Sequence, residues 1–175
     1  RRMDLRRDAL WHMNQLSQKW GEACDLSIFD HGEVFYIEMI PGSHALTIAA
    51  SVGRRLPAHC TASGKLFLAH LPAKELDGIL TKPLIAYTGK TISSANSLRQ
   101  QLERIRRQGY AFDDEEFETG IRAIACPIFD RAGKVVAAMS IPSPASRMTL
   151  ERVPEIARAL AEATGAVSRR MGWNS

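Results

Sequence analysis

The sequence predicts an α+β domain, an antiparallel β-sheet flanked by helices. Three observations carry this reading. Apolar residues recur at helical spacing near both ends of the chain, two pairs of β-rich segments each surround a Gly-bearing turn, and a further helical stripe separates the pairs. At 175 residues the chain suits one domain and can bury a sizeable core. No repeat, low-complexity tract or long polar linker marks an internal boundary.

Leu5, Ala9, His12 or Met13, Leu16 and Trp20 define a first helix, and Gly21 stops it by adopting a left-handed cap without steric cost. Leu26–Phe29 and Val34–Ile37 flank the turn Asp30-His31-Gly32-Glu33 and read as a hairpin. A third strand is expected over Ala45–Ser51. Ala62–Leu71, with Leu66, Phe67, Leu68 and Leu71, reads as a short helix ended by Pro72. An irregular passage holding Pro83 and Gly89 follows. Ser93-Ser94 can cap a helix whose stripe is Leu98, Leu102 and Ile105 and whose stop is Gly109. Ile121–Phe129 and Val135–Ile141, joined at Asp130-Arg131-Ala132-Gly133, form a second hairpin. Both of its strands are apolar at nearly every position, so both of its faces should be covered. Ile156, Leu160, Ala163, Val167 and Met171 mark a closing helix, with Pro154 suited to its first turn.

Composition narrows the function classes. Apolar residues make up 45% and charged residues 24%, the balance of a globular protein, and no apolar run is long enough to cross a membrane. The chain opens Arg1-Arg2-Met3-Asp4 with no signal-like segment and reads as a piece of a longer polypeptide. Cys24, Cys60 and Cys126 lie far apart, which points to buried thiols in a reducing cytoplasm rather than disulfides or zinc. The five histidines show no metal-ligand spacing, and no cofactor is expected. The net charge is +4, yet the cations crowd the two ends, and Asp113-Asp114-Glu115-Glu116 opposes them. The chain by itself is therefore not expected to bind DNA.

Catalysis finds no support either. His59-Cys60 sets a base beside a thiol in sequence, but chain neighbours seldom reach each other. No G-x-S-x-G elbow occurs. Ser63-Gly64-Lys65-Leu66 ends like a phosphate loop, but His59 stands where its first Gly belongs and Leu66 where its Ser or Thr belongs.

Thr61-Ala62-Ser63-Gly64 holds small residues where a loop becomes a helix. Uncovered N–H groups at such a turn suit a carboxylate, although a helix start that merely caps itself reads the same way. Asp113 can be a solvated turn acid or a pocket acceptor. Lys65 and Arg122 can pair with the acids at 113–116 in a structural role.

Three segments resemble the effector-binding, C-terminal domain of IclR-family transcriptional regulators. They are Gly53-Arg54-Arg55-Leu56-Pro57-Ala58-His59-Cys60-Thr61-Ala62-Ser63-Gly64-Lys65, then Gly109–Glu116 with Gly120–Asp130, then Val135–Ile141 ending in Pro144 and Arg147. Their order and spacing cover essentially the whole chain. The resemblance implies a GAF-like domain at 21–175, with 1–20 as the end of a linker plus the first helix, and a winged helix-turn-helix that lies outside this chain. It implies no enzyme, but a cytoplasmic regulator, expected to be a repressor, that binds a small organic acid, touches DNA only through the missing domain, has no membrane partner and forms a homodimer or homotetramer. Polar effector contacts carried over by motif fall on Ala62, Ser63, Asp113, Ala123, Ser140 and Pro142, and apolar walls on Ala45, Ile48 and Leu56. Ala123 stands where the family can have Cys, and Pro142 where it can have Ser. A more apolar pocket end follows, suiting a larger or aromatic acid better than a two- or three-carbon oxoacid. The alternative is a GAF-like ligand-binding domain from another signalling protein.

Overall fold

The computed structural model describes residues 2–48 and 51–175. Helix α1 (Arg2–Trp20) opens the chain. Its buried stripe is Leu5, Ala9, Met13 and Leu16, and Gly21 ends it at φ 71°. Strands β1 (Cys24–Asp30) and β2 (Glu33–Ile40) form the first hairpin. A short edge strand β3 (Arg55–Pro57) pairs with β2. Helices α2 (Ala62–Ala69), α3 (Ala73–Ile79) and α4 (Ala95–Gln108) follow. Strands β4 (Ala111–Asp114), β5 (Ile121–Phe129) and β6 (Val135–Pro144) complete the sheet, and one 3-10 turn leads into α5 (Val153–Arg170).

The six strands lie in the order β3-β2-β1-β6-β5-β4, every neighbouring pair antiparallel. Alternation along β5 and β6 divides the side chains by size. Ile124, Cys126, Ile128, Met139 and Ile141 join Cys24 and Leu26 in a core covered by α1 and α5. Ala123, Ala125 and Ala138 face the other way, beneath α2 and α4. Large side chains thus fill one side of the sheet, while small ones on the other leave room between sheet and helix.

Two expectations need correction. Of the third strand placed at Ala45–Ser51, Ala49 and Ala50 lie outside the described residues, and the rest is not strand; the partner of β2 is β3, further along. Pro41-Gly42-Ser43 turns the chain off β2, and the Ser43 and His44 amides donate to the Gly21 carbonyl instead of to a strand. Proline at the end of β3 suits its place on the edge. The passage after Pro72 is not wholly irregular, since α3 lies there with Leu76 as its one buried side chain. Ser94 does cap α4, accepting from the Ser97 amide at 3.3 Å, and Gly109 ends it at φ 85°.

Candidate functional site

Sheet register assembles the site from residues distant in sequence. On the α2-facing side, Asp25 of β1 stands opposite Ser140 of β6. One step along, Pro142, Ala123 and Asp113 are successive partners across β6, β5 and β4. A bulge after Leu26 sets Tyr36 opposite Ser27. Above these rows sits the amino end of α2. Thr61 caps it, its Oγ1 accepting from the Gly64 amide at 3.2 Å while donating to the Pro57 carbonyl at 2.7 Å. Ala62 and Ser63, the first two residues of the helix, have N–H groups with no intrahelical acceptor. Gly64 is obligatory there, because a Cβ would strike the Ala58 carbonyl oxygen and Cα.

Between helix and sheet lies a cavity of about 120 Å³. Of the nine residues the sequence assigns to a pocket, Ile48, Leu56, Ala62, Ser63, Asp113, Ala123, Ser140 and Pro142 line it. Ala45 does not; it is exposed on the connection between β2 and β3. The lining also includes Asp25, Tyr36, Phe117 and Ile121, with exposed Arg54 and Glu118. Sequence reasoning missed Asp25 and Tyr36 because each sits singly on a strand, with no motif to flag it. Arg54 stood inside a quoted motif, and a cation two residues ahead of an apolar wall residue was the available signal.

Two carboxyls face this space. Asp25 is buried, its Oδ2 accepting from the Ser140 hydroxyl at 3.0 Å, while its Oδ1 has no partner among the described residues. Burial pushes its pKa up to about 7, against the Ser140 hydrogen bond. Asp113 is also buried, not a solvated turn residue. Burial likewise raises it to about 7; the Glu116 charge adds to the rise, and the Glu116 amide, donating to its Oδ1 at 2.8 Å, resists it. Ser63 is 2% exposed, and its hydroxyl has no partner among the described residues. The turn therefore caps itself through Thr61 and still presents a bare hydroxyl from Ser63.

The acids flanking Asp113 hold the frame. Lys65, fully buried, donates to both Glu116 oxygens at 2.9 and 2.8 Å and to the Phe112 carbonyl, so α2 is bolted to β4. Arg122 pairs with Asp114 at 2.8 Å. A second network lies at the far edge. Arg147 binds both Glu22 oxygens, at 2.7 and 2.8 Å, and also the Leu46 carbonyl at 2.5 Å, while Ser143 donates to Glu22 at 2.8 Å. Burial works against the Glu22 charge, but these partners hold its carboxyl below the ordinary range.

Cys60 and His59 are not set up as a nucleophile and its base. The Cys60 thiol is pushed up to about 12 by burial, and the His59 ring lies 2.8 Å from the Ile85 carbonyl. All three cysteines are buried and free. Among the described residues no His, Cys, Asp or Glu group is placed to hold a metal, and no helix is long and apolar enough to cross a membrane.

Fold and cavity together define a GAF-like regulatory domain with space for a small molecule between sheet and helix. The chain belongs to the bacterial transcriptional regulator IclR C-terminal family, whose model matches residues 1–169. The regulator KdgR of Escherichia coli is 37% identical over 175 residues, covering 98% of this chain and 66% of KdgR. The crystal structure of its C-terminal domain superposes with a TM-score of 0.87 over 97% of this chain and 99% of that one. The transcriptional repressor IclR of E. coli is 34% identical over 91% of this chain and 60% of its own length. An IclR homologue from Microbacterium hydrocarbonoxydans, solved in complex with 4-hydroxybenzoate, is 30% identical with a TM-score of 0.88, covering 97% of this chain and 68% of that one. This chain thus spans about two thirds or less of the length of those curated relatives. The relatives are transcriptional regulators, and the domain is regulatory rather than catalytic.

Proposed function

We propose that this chain is the effector-sensing domain of a cytoplasmic IclR-type repressor and that a small organic acid enters the cavity beneath α2. The observation that carries this reading is the bare, buried Ser63 hydroxyl beside the free N–H groups of α2. Together they offer a carboxylate directed donors and the positive end of a helix, and Arg54 adds a cation at the rim. A cavity of about 150 Å³ accepts a benzene-sized guest, so about 120 Å³ limits the enclosed part of a guest to no more than one small ring or a short chain. Phe117, Ile121, Ala123 and Pro142 supply an apolar flank for a ring.

Ala62, Ser63, Asp113 and Ser140 form the polar contacts, with Ile48 and Leu56 as walls. Residues 1–20 are the end of a linker plus the domain's first helix, and 21–175 the sensing body. The whole regulator is a homodimer or homotetramer that touches DNA through a winged helix-turn-helix attached ahead of α1. The effector acts by differential affinity for two arrangements of the protomers. The segment ahead of Ile48 is hydrogen-bonded to α1 and to the turn that follows it, which supports α1 as the responding element. Arg147 ties the Leu46 carbonyl to Glu22, two residues past α1, and Ser17 of α1 donates to the Pro41 carbonyl at 2.8 Å.

The test is a thermal-shift screen against small carboxylic acids, repeated on Ser63→Ala. A ligand selective for the folded state raises Tm by mass action. Because Ser63 Oγ has no partner among the described residues, the variant should keep its ligand-free Tm yet lose about tenfold in acid affinity, the scale of one charge-assisted hydrogen bond. If acids stabilise Ser63→Ala as well as the parent chain, the carboxylate does not sit at α2.

A further inference from the structure

The floor of the cavity asks for something different from its roof. At the roof, Ser63 and the α2 amides are donors. At the floor, the Ser140 proton is committed to Asp25 Oδ2, 3.0 Å away, so what Ser140 can still offer a guest is a lone pair. Asp25 is 1% exposed and its other oxygen is unpartnered, an acceptor buried at considerable cost unless something donates to it. Asp113 lines the same space, two positions along the sheet register, with one oxygen already taken by the Glu116 amide.

We propose that Asp25 is a specificity-determining residue of this pocket, and that through Asp25 and the Ser140 it orients, the floor selects an acid bearing a hydroxyl group remote from its carboxylate. This rests on the reading of the cavity as an organic-acid site and names the second functional group such an acid needs. A ligand hydroxyl at the floor donates to the free Asp25 oxygen or to Ser140, whose own proton runs on to Asp25, making one continuous donor chain. A carboxylate placed there would meet lone pairs and a developing negative charge. An ammonium brings a full charge and three donors into a buried site and must satisfy all of them, whereas a hydroxyl needs only one acceptor, such as the free Asp25 oxygen, so a hydroxyl is the better match. The same logic gives the ligand its direction, carboxylate to α2 and hydroxyl to β1 and β6.

The experiment is calorimetric titration of the 175-residue chain with matched pairs, 4-hydroxybenzoate against benzoate and 6-hydroxyhexanoate against hexanoate, plus 4-(aminomethyl)benzoate, whose ammonium is remote from its carboxylate. At least one hydroxylated acid should bind tenfold or more tightly than its bare partner. In Asp25→Asn, which keeps the side-chain shape, and in Asp25→Ala that preference should shrink about tenfold, the equivalent of one hydrogen bond, through a larger loss for the hydroxylated acid than for its bare partner. Circular dichroism identifies a variant that does not fold, and Asp25→Asn then stands for the pair. If Asp25→Asn also fails to fold, Asp25 is a structural residue and the proposal falls. A preference that survives both folded variants, equal loss for both members of a pair, or tighter binding of 4-(aminomethyl)benzoate than of 4-hydroxybenzoate overturns the role given to Asp25 and leaves the pocket reading intact. If no acid of the panel binds the parent chain, the pocket reading itself fails and takes this inference with it.

Discussion

Lys65 shows how one side chain fixes the site without touching a ligand. A fully buried ammonium is tolerable because three acceptors surround it, two of them on Glu116. The pair joins the first turn of α2 to the end of β4, and the cavity lies between those two elements. Removing one partner strands the other, and such losses run to about 3–5 kcal/mol in buried pairs. Lys65→Met should therefore lower stability by about that much in urea unfolding. Lys65→Met combined with Glu116→Gln should recover a substantial part of it, because the uncompensated charge is gone. The sequence offered both ends of this bond, a lysine after a small-residue turn and acids at 113–116. It could not say which acid, since that depends on how β4 leaves the sheet. Asp113 illustrates the same limit: four acids in a row look solvated, and only the alternation of β4 reveals that the first turns inward beneath α2.

At the scale of elements, the amino end of α2 concentrates the constraint. Thr61 caps it, Ser63 is bare to the cavity, and Gly64 packs flush on Ala58. A methyl at position 64 meets backbone atoms that cannot swing aside, and overpacking of that kind costs about 1–3 kcal/mol. Gly64→Ala should reduce the denaturation midpoint accordingly and weaken acid binding further than stability alone explains, because the α2 amides are displaced from the cavity. A Tm unchanged by the substitution would mean the turn relaxes freely. The long elements were legible for the reasons that make helices and hairpins legible at all. α4 carries a cap, a stripe and a glycine stop, and the second hairpin carries two apolar runs about a turn. What escaped were short pieces. α3 has seven residues and one buried side chain, too few for periodicity to register. The third strand is expected over Ala45–Ser51, but β2 finds its edge partner further along, in β3. Its pairing is set instead by where Gly53, at φ 91° with its amide bonded to the Tyr36 carbonyl at 2.8 Å, returns the chain to β2. The site was legible where motif carried it and invisible at Asp25, which becomes a neighbour of Ser140 only through a contact between residues 115 positions apart.

Across the whole molecule, two carboxyls raised to about 7 in one cavity make stability depend on pH in an unusual window. A carboxyl whose folded pKa lies above its unfolded value holds its proton more tightly in the native state. Between the unfolded value near 4 and the folded value near 7 the native state therefore binds more protons, and stability falls as pH rises. Each such group contributes a slope of up to about 1.4 kcal/mol per pH unit within that window. Other groups act elsewhere or in opposition. Glu22, Asp30 and Glu115 are lowered, so what they contribute is lost only as pH drops through their depressed values. His12 and His70 are lowered chiefly by burial, which makes stability rise with pH as they approach their ordinary range. The contribution of Asp25 is separable by substitution, since Asp25→Asn cannot ionise. Urea unfolding of the parent chain and of Asp25→Asn between pH 5 and 8 should give curves that converge at the acid end and diverge toward neutrality, the variant losing less. Parallel curves would mean that Asp25 is already ionised in the folded protein at pH 5. An acid that donates a hydrogen bond to Asp25 should favour its ionised form and so flatten the parent curve when bound, which ties the pH response to occupancy of the cavity.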